Sequence, residues 1–385
     1  MKKYLTILDD QFMKFFGTKA ERFFFAPGRV NLIGEHTDYN GGFALPCALN
    51  LGTYSAASKR ADNKIRLISA DFDEPCEITL DDILEKSHNW ADYPKGVLAE
   101  MLKLGCKIGG FDFYCRGDIP SGAGLASSAS VELLTAVTVN ELFDCKIPMR
   151  ELVLLSRRAE NDFIGVNCGI MDQYAVAFGK QNHAILLDCL AVKHSDVPLD
   201  LGDYLIMITN SNNSRSLAAS EYNRRLAECQ SALKILQQAC KIDHLCELEI
   251  SAFEECKHLI TDQVLLNRAT HVIHENARVL QAAEALSAGN LAVFGGLMNE
   301  SHISLRDLYE VTGMCLDSLA AAAWQVEGVL GSRMTGAGFG GCTVTILHKN
   351  GVENFREIVG ELYRESTGIE ASFYVAGIGA GVVEV

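Results

Sequence analysis

Sixteen consecutive residues, Pro27-Gly28-Arg29-Val30-Asn31-Leu32-Ile33-Gly34-Glu35-His36-Thr37-Asp38-Tyr39-Asn40-Gly41-Gly42, hold an arginine, two carboxylates, a histidine and an Asn-Gly-Gly turn. The apolar run before them, Phe23-Phe24-Phe25-Ala26, reads as a buried strand. A strand that runs straight into a dense polar segment presents side chains for chemistry. Donors and acceptors packed this closely suit a small polyhydroxylated ligand and make a poor core.

Three further segments carry chemical signals. Pro120-Ser121-Gly122-Ala123-Gly124-Leu125-Ala126-Ser127-Ser128-Ala129-Ser130 lies between an alternating strand pattern and an apolar-faced helix. Its glycines let an anion approach the backbone, and the helix start offers free amides to phosphate. Taken alone it also reads as a Gly/Ser turn with an ordinary cap. It is not a Walker A loop, because no Gly-Lys-Ser/Thr follows. Met334-Thr335-Gly336-Ala337-Gly338-Phe339-Gly340-Gly341-Cys342 matches G-x-G-x-x-G literally, but Thr343-Val344-Thr345-Ile346-Leu347 then alternates like a strand. A dinucleotide loop opens a helix, so this one reads as a glycine loop lining a cleft. In Gly169-Ile170-Met171-Asp172-Gln173-Tyr174, Asp172 is a helix cap or, in a phosphoryl-transfer site, the group that orients a hydroxyl proton.

The elements that must position these residues follow from periodicity. Strands are expected at Phe23–Ala26, Phe43–Ala48, Thr53–Ser58, Lys64–Ser69 and Phe111–Arg116. Helices follow at about 90–104, 125–143, with Leu125, Ala129, Leu133, Ala136, Val139 and Phe143 on one face, and 149–163, with Pro148 at its first turn. Beyond them come a strand at 204–209, helices at 216–240, 262–287 and 291–301, and a closing strand, helix and strand at 343–347, 352–363 and 372–375. The pattern predicts an α+β protein of two lobes, 1–200 and 201–385.

Composition bounds the partners. The 385 residues are nearly half hydrophobic, enough for about two domains with real cores. A formal charge of −15 argues against nucleic acid, which needs a basic face. No apolar run reaches the ~18 residues that span a bilayer. The thirteen cysteines form no Cys-x-x-Cys pair and read as small buried hydrophobes in a reducing cytoplasm.

Together these segments resemble the small-molecule kinase superfamily named for galactokinase, homoserine kinase, mevalonate kinase and phosphomevalonate kinase. Residues 28–42 are similar to its galactokinase signature, and the resemblance extends to Trp90–Val97, Ser216–Arg225 and Ser301–Val311. It implies a two-lobed fold with the active site in the cleft between lobes. It implies transfer of the ATP γ-phosphoryl group to the C1 hydroxyl of α-D-galactose, opening galactose catabolism, by a cytoplasmic monomer. Asp172 matches the catalytic aspartate and Arg29 the arginine beside it. Glu35, His36, Asp38, Gly169 and Tyr222 match sugar-binding positions. Gly122, Ala123, Gly124, Leu125, Ala126, Ser127 and Ser128 match the phosphate loop, Trp90 an aromatic near the adenine, and Ser128 and Glu160 the Mg²⁺ ligands. Two positions depart from the pattern: Asn213-Ser214-Arg215 stands where many relatives carry Val-Arg-His, and Asp92 where they carry Asn. Two other readings stay open, an N-acetylgalactosamine kinase and a non-catalytic galactose sensor; Thr37 and Asn40-Gly41-Gly42 fit the galactose members better.

Overall fold

The computed structural model describes residues 2–120, 123–213 and 218–385. Gly122 with Ser121, and Arg215 with Ser214, Ser216 and Leu217, lie outside the described residues. In chain order the elements are α1 (Lys2–Phe16), β1 (Arg22–Asn31), β2 (Phe43–Ala44), β3 (Pro46–Lys59), β4 (Lys64–Ser69), β5 (Cys76–Thr79), α2 (Asp92–Lys103), β6 (Phe111–Gly117), α3 (Ser127–Leu142) and α4 (Met149–Arg158). Then follow α5 (Met171–Phe178), β7 (His183–Asp188), β8 (Lys193–Pro198), β9 (Tyr204–Asn210), α6 (Ala218–Leu236), α7 (Ile250–Cys256), α8 (Gln263–Ser287) and α9 (Leu291–Ser304). The chain closes with α10 (Gly313–Ala323), β10 (Val329–Thr335), β11 (Cys342–His348), α11 (Val352–Thr367), β12 (Ser372–Ala376) and β13 (Val383–Glu384).

A six-stranded sheet runs in the order β13-β1-β3-β6-β4-β5, antiparallel except between β4 and β6. A four-stranded antiparallel sheet runs β10-β11-β9-β12, and a small third sheet joins β2, β7 and β8. Helices segregate from largely antiparallel sheets, the α+β arrangement the pattern predicts.

One core fills the space between the six-stranded sheet and helices α2 to α5; Phe24, Phe113, Leu133 and Leu155 are fully buried in it. Each such side chain stabilises the fold by about 1.5–3 kcal/mol relative to exposure. A second core ties the far end of β1 to the four-stranded sheet: Val30, Leu32 and Ile33 share it with Ile208, Val344 and Ile346. The polar stretch after β1 is thus built into the seam between the two sheets.

Several local expectations change. The helix predicted at 125–143 begins at Ser127 and is buried on nearly every side, not on one face. The helix predicted to reach Phe163 stops at Arg158 and passes into a π-helical turn, Ala159–Ile164, and Pro148 is its N-cap, not its first turn. Such a turn closes i→i+5 hydrogen bonds, a widening that a reading by helical period does not register. Cys106 and Cys145 are joined in a disulfide. They follow α2 and α3, which pack side by side, so the reading of every cysteine as a lone buried hydrophobe fails for this pair. Cys168, Cys240 and Cys246 are only partly buried. Among the described residues no helix is long and apolar enough to cross a membrane.

Candidate active site

The site begins at a defect in β1. Its register with β3 shifts between Pro27 and Arg29, where proline has no N–H to give. The irregularity presents Arg29, 4 % exposed, toward α5. Its Nε donates to Asp172 Oδ1 at 2.8 Å and its Nη2 to Oδ2 at 2.6 Å, a two-pronged charge-assisted pair. Its Nη1 donates to the Gly124 carbonyl at 2.8 Å, which ties the strand to the glycine loop. Asp172 sits in the first turn of α5, not at its cap, and its side chain keeps 29 % of its surface open. Both residues line a cavity of about 400 Å³.

Glu35, His36, Asp38, Gly169 and Tyr222 line the same cavity. Glu35 is buried; its Oε1 accepts the Gly336 N–H at 2.6 Å and its Oε2 accepts from Asn31 Nδ2. Burial raises its carboxyl to about 7, against the pull of Arg333 and Arg29. Burial, and then the Asp172 charge, raise Asp38 to about 6. His36 holds a left-handed backbone (φ 64°), an uncommon state for a non-glycine residue that marks functional loops. Burial keeps its ring neutral, well below the ordinary histidine value. Its Nε2 faces the Ala337 carbonyl at 3.2 Å, so Nε2 carries the proton and Nδ1 accepts from the Tyr39 hydroxyl at 2.7 Å. At Gly169 an added Cβ would run into the Asp38 carboxylate, so glycine leaves that carboxylate its place. Thr37 and Asn40 shape the loop without lining the cavity: Thr37 Oγ1 donates to the Phe43 carbonyl at 2.7 Å and lies 3.0 Å from the Gly34 carbonyl, and Asn40 Nδ2 donates to that of His36.

The glycine loop closes the other end. Gly124, Ala126, Ser127 and Ser128 line the cavity. Ala126 is the N-cap of α3 in a left-handed conformation, and its own side chain makes no capping hydrogen bond. The side chains of Ala123 and Leu125 are buried in the second core, so at these two positions only backbone is available to a ligand. Glu160, on the π-helical turn, accepts from Gln173 Nε2 at 2.6 Å and from the Ser128 hydroxyl. Gln173 Nε2 also donates to Glu132 Oε2 at 3.0 Å. Burial raises Glu132 and Glu160; the Asp172 charge adds to both, and the Glu160 charge adds to Glu132. Oxygen donors with surplus negative charge suit a hard cation, and Mg²⁺ asks for only one or two protein ligands beside phosphate. Ser128 and Glu160 fit that ion.

Trp90 does not line this cavity. It lines a neighbouring one of about 420 Å³ that shares Tyr93, Ser127 and Ser128 with the first. Phe72 lies parallel to Trp90 there, ring centres 6.1 Å apart. Asp92 lines neither cavity; its carboxylate accepts the N–H groups of Ser87 and His88 at 2.7 and 2.8 Å. The third glycine motif connects β10 to β11 as a hairpin, and its Gly336 and Ala337 face the first cavity. At Gly338 (φ +81°) a Cβ would strike the Val311 carbonyl. Sequence reasoning missed Tyr93, Phe72, Glu132, Gln173 and Arg333. Arg333 left a weak signal, a lone charge in a strand of mixed polarity just before the third glycine motif.

The chain is 50 % identical to the galactokinase of Clostridium tetani over 380 residues, 98 % of this chain and 97 % of that one. The chain belongs to the galactokinase family. A galactokinase of Fusobacterium nucleatum is 52 % identical over 95 % of each chain. The solved structure of Lactococcus lactis galactokinase complexed with galactose superposes with a TM-score of 0.96 at 46 % identity, covering 99 % of this chain and 100 % of that one. The galactokinase galactose-binding signature matches residues 10–59, the GHMP kinase N-terminal domain residues 92–180 and the GHMP kinase C-terminal domain residues 282–365. Arg29, Glu35, His36 and Asp38 fall within the galactokinase-specific segment. Ser128, Glu160 and Asp172 fall in the second, and the β10–β11 glycine hairpin in the third.

Proposed function

We propose that this protein transfers the γ-phosphoryl group of ATP to the C1 hydroxyl of α-D-galactose, giving galactose 1-phosphate and ADP. The observation that carries the reading is the Arg29–Asp172 pair, which opens on one cavity with buried carboxylates at one end and the glycine loop at the other. Asp172 accepts the hydrogen bond of the C1 hydroxyl and directs the oxygen at phosphorus; the loose transition state of phosphoryl transfer needs little early deprotonation. Arg29 holds the Asp172 carboxylate in place through its two hydrogen bonds and offsets charge on the group in flight. Glu35, His36, Asp38 and Tyr222 choose the sugar: in a closed pocket a mismatched hydroxyl leaves a buried polar group unpaired. The backbone around Gly124 and the hydroxyls of Ser127 and Ser128 hold the phosphates, with the base toward Trp90 and Phe72. Ser128 and Glu160 would hold Mg²⁺, which when bound offsets phosphate charge.

We infer a cytoplasmic monomer: the use of ATP, with eleven of thirteen cysteines free beside the one Cys106–Cys145 disulfide among the described residues, fits a reducing compartment, and the cavity draws Arg29, Tyr222 and Gly336 from a single chain. The test is ADP formation with galactose, N-acetylgalactosamine, glucose, arabinose or mevalonate, with Asp172→Asn as control. Galactose-dependent turnover that the substitution removes is expected. Turnover on N-acetylgalactosamine but not galactose overturns the reading.

A further inference from the structure

Arg333 stands in the middle of β10 with no exposed surface. A buried charge is costly unless paired, and truncating one member of such a pair strands the other. Its pairing is sparse. Nη1 donates to the Asn31 carbonyl at 3.2 Å, Nη2 lies 3.5 Å from Glu35 Oε1, and among the described residues neither Nε nor Nη2 has a hydrogen-bond partner. The guanidinium does not line the cavity; Glu35 does.

Glu35 is held from both sheets. Asn31 reaches it from β1, while the Gly336 N–H and Arg333 reach it from the β10 end. Thr335 fastens the same junction, giving its hydroxyl hydrogen to the Asn31 carbonyl at 2.9 Å and accepting the Asn31 N–H at 3.2 Å. The charged and titratable groups facing Glu35 are Arg29 on β1, Arg333 on β10, Glu275 and His271 on α8, and its neighbour His36. Arg333, then the Gly336 N–H and Arg29, favour the ionised carboxylate that accepts sugar hydroxyls; burial and Glu275 oppose it.

We propose that Arg333 is a positioning residue for sugar recognition: from the second sheet it fixes Glu35 in place and in charge without touching the ligand. The proposal rests on the reading of Glu35 as a galactose ligand. With Arg333 neutral, Glu35 stays protonated to a higher pH and loses acceptor capacity at neutral pH. Galactose binding then weakens there and recovers in alkali, while ATP binding and the chemical step are untouched.

The experiment measures galactose KM, ATP KM and kcat across neutral and alkaline pH in Arg333→Met, Arg333→Gln, Arg333→Lys and Glu35→Gln. Arg333→Met raises galactose KM on the order of tenfold at neutral pH, the effect of moving one carboxyl by about one pKa unit. The deficit closes as pH rises, and ATP KM holds. Arg333→Lys, which keeps the charge, restores part of the loss. Glu35→Gln raises galactose KM without that recovery, and adding Arg333→Met to it costs nothing more. An unchanged galactose KM in Glu35→Gln overturns the reading of Glu35 and the proposal with it. An impaired Glu35→Gln beside an Arg333→Met of normal KM and pH profile overturns the proposal alone, as does a KM raised equally at every pH. Should the methionine variant fail to fold, Arg333→Gln carries the same outcomes, since it keeps a donor for the Asn31 carbonyl; should both fail, the pH profile of Arg333→Lys does.

Discussion

Arg29 and Asp172 meet in a fork, Nε to Oδ1 at 2.8 Å and Nη2 to Oδ2 at 2.6 Å, across 143 residues of chain. The arginine is buried and the carboxylate half-open, so the fork's free side faces the cavity. One β-strand and one helix start are thereby locked together before any ligand arrives.

Replacing Asp172 with Asn removes the charge and keeps the shape. We expect kcat to fall by about 10²–10⁴, the range general-base and orienting groups supply. Galactose affinity, measured by calorimetry, should stay within about threefold, because Glu35, His36 and Asp38 are untouched. Near-normal turnover in this variant contradicts the assignment of Asp172.

The raised carboxyls Glu35 (about 7) and Asp38 (about 6) make galactose binding pH-dependent. Sugar hydroxyls donate to the ionised form and favour it, so binding between these values releases protons and tightens as pH rises. For folding the sign is opposite. An acid whose folded value exceeds its unfolded one, as Glu35 does against 4.5, stabilises the fold below the unfolded value and loses that contribution as pH rises through the folded one. Calorimetry in two buffers of different ionisation heat should show proton release, and galactose should raise Tm more at mildly alkaline than at mildly acidic pH. Proton uptake contradicts this.

Much of the architecture was legible because strand and helix periods survive in the sequence. Phe23–Ala26, Lys64–Ser69 and Tyr204–Thr209 lie within β1, β4 and β9, and Ala129, Leu133 and Ala136 are core residues of α3. What escaped was long-range. Gln173 looks like any polar helix residue until α5 packs beside α3 and the π-helical turn after α4, which give it Glu132 and Glu160. Arg333 is defined by Glu35, 298 positions away, and by a strand whose Gly331 and Ser332 blur the alternation. Ala123 and Leu125 lie in the loop motif yet turn their side chains into the core, which no motif records.

Gly169→Ala tests the sugar end sterically. The added Cβ displaces the Asp38 carboxylate, the nearest group it meets. Misplacing a positioning group by about 1 Å costs up to 10²-fold, so galactose KM should rise by about 10–100-fold while ATP KM holds. An unchanged galactose KM means that Asp38 does not contact the sugar.

The two rings of the neighbouring cavity separate recognition from folding. Phe72 is 54 % exposed, whereas Trp90 is buried and its Nε1 donates to the Glu74 carbonyl at 3.0 Å. Phe72→Ala should raise ATP KM by about 2–10-fold, the worth of one aromatic contact, and leave stability within about 0.5 kcal/mol. Trp90→Ala should cost about 3–5 kcal/mol of stability as well. Denaturant unfolding beside ATP titration distinguishes them; an ATP KM unaffected by either places the base elsewhere.

Gln173 gives the cation end its own test. Its Nε2 bridges Glu132 and Glu160, so Gln173→Leu leaves two buried carboxylates facing each other and frees Glu160 to turn from Ser128. Loss of a group that orients a metal ligand typically costs about 10–100-fold in metal affinity. The Mg²⁺ concentration for half-maximal turnover at saturating ATP should rise by that factor, with galactose KM unchanged. Metal binding can be read without turnover by Mn²⁺ paramagnetic titration in the presence of a non-hydrolysable ATP analogue. Equal Mn²⁺ affinity in the variant and the parent removes Glu160 from the metal site.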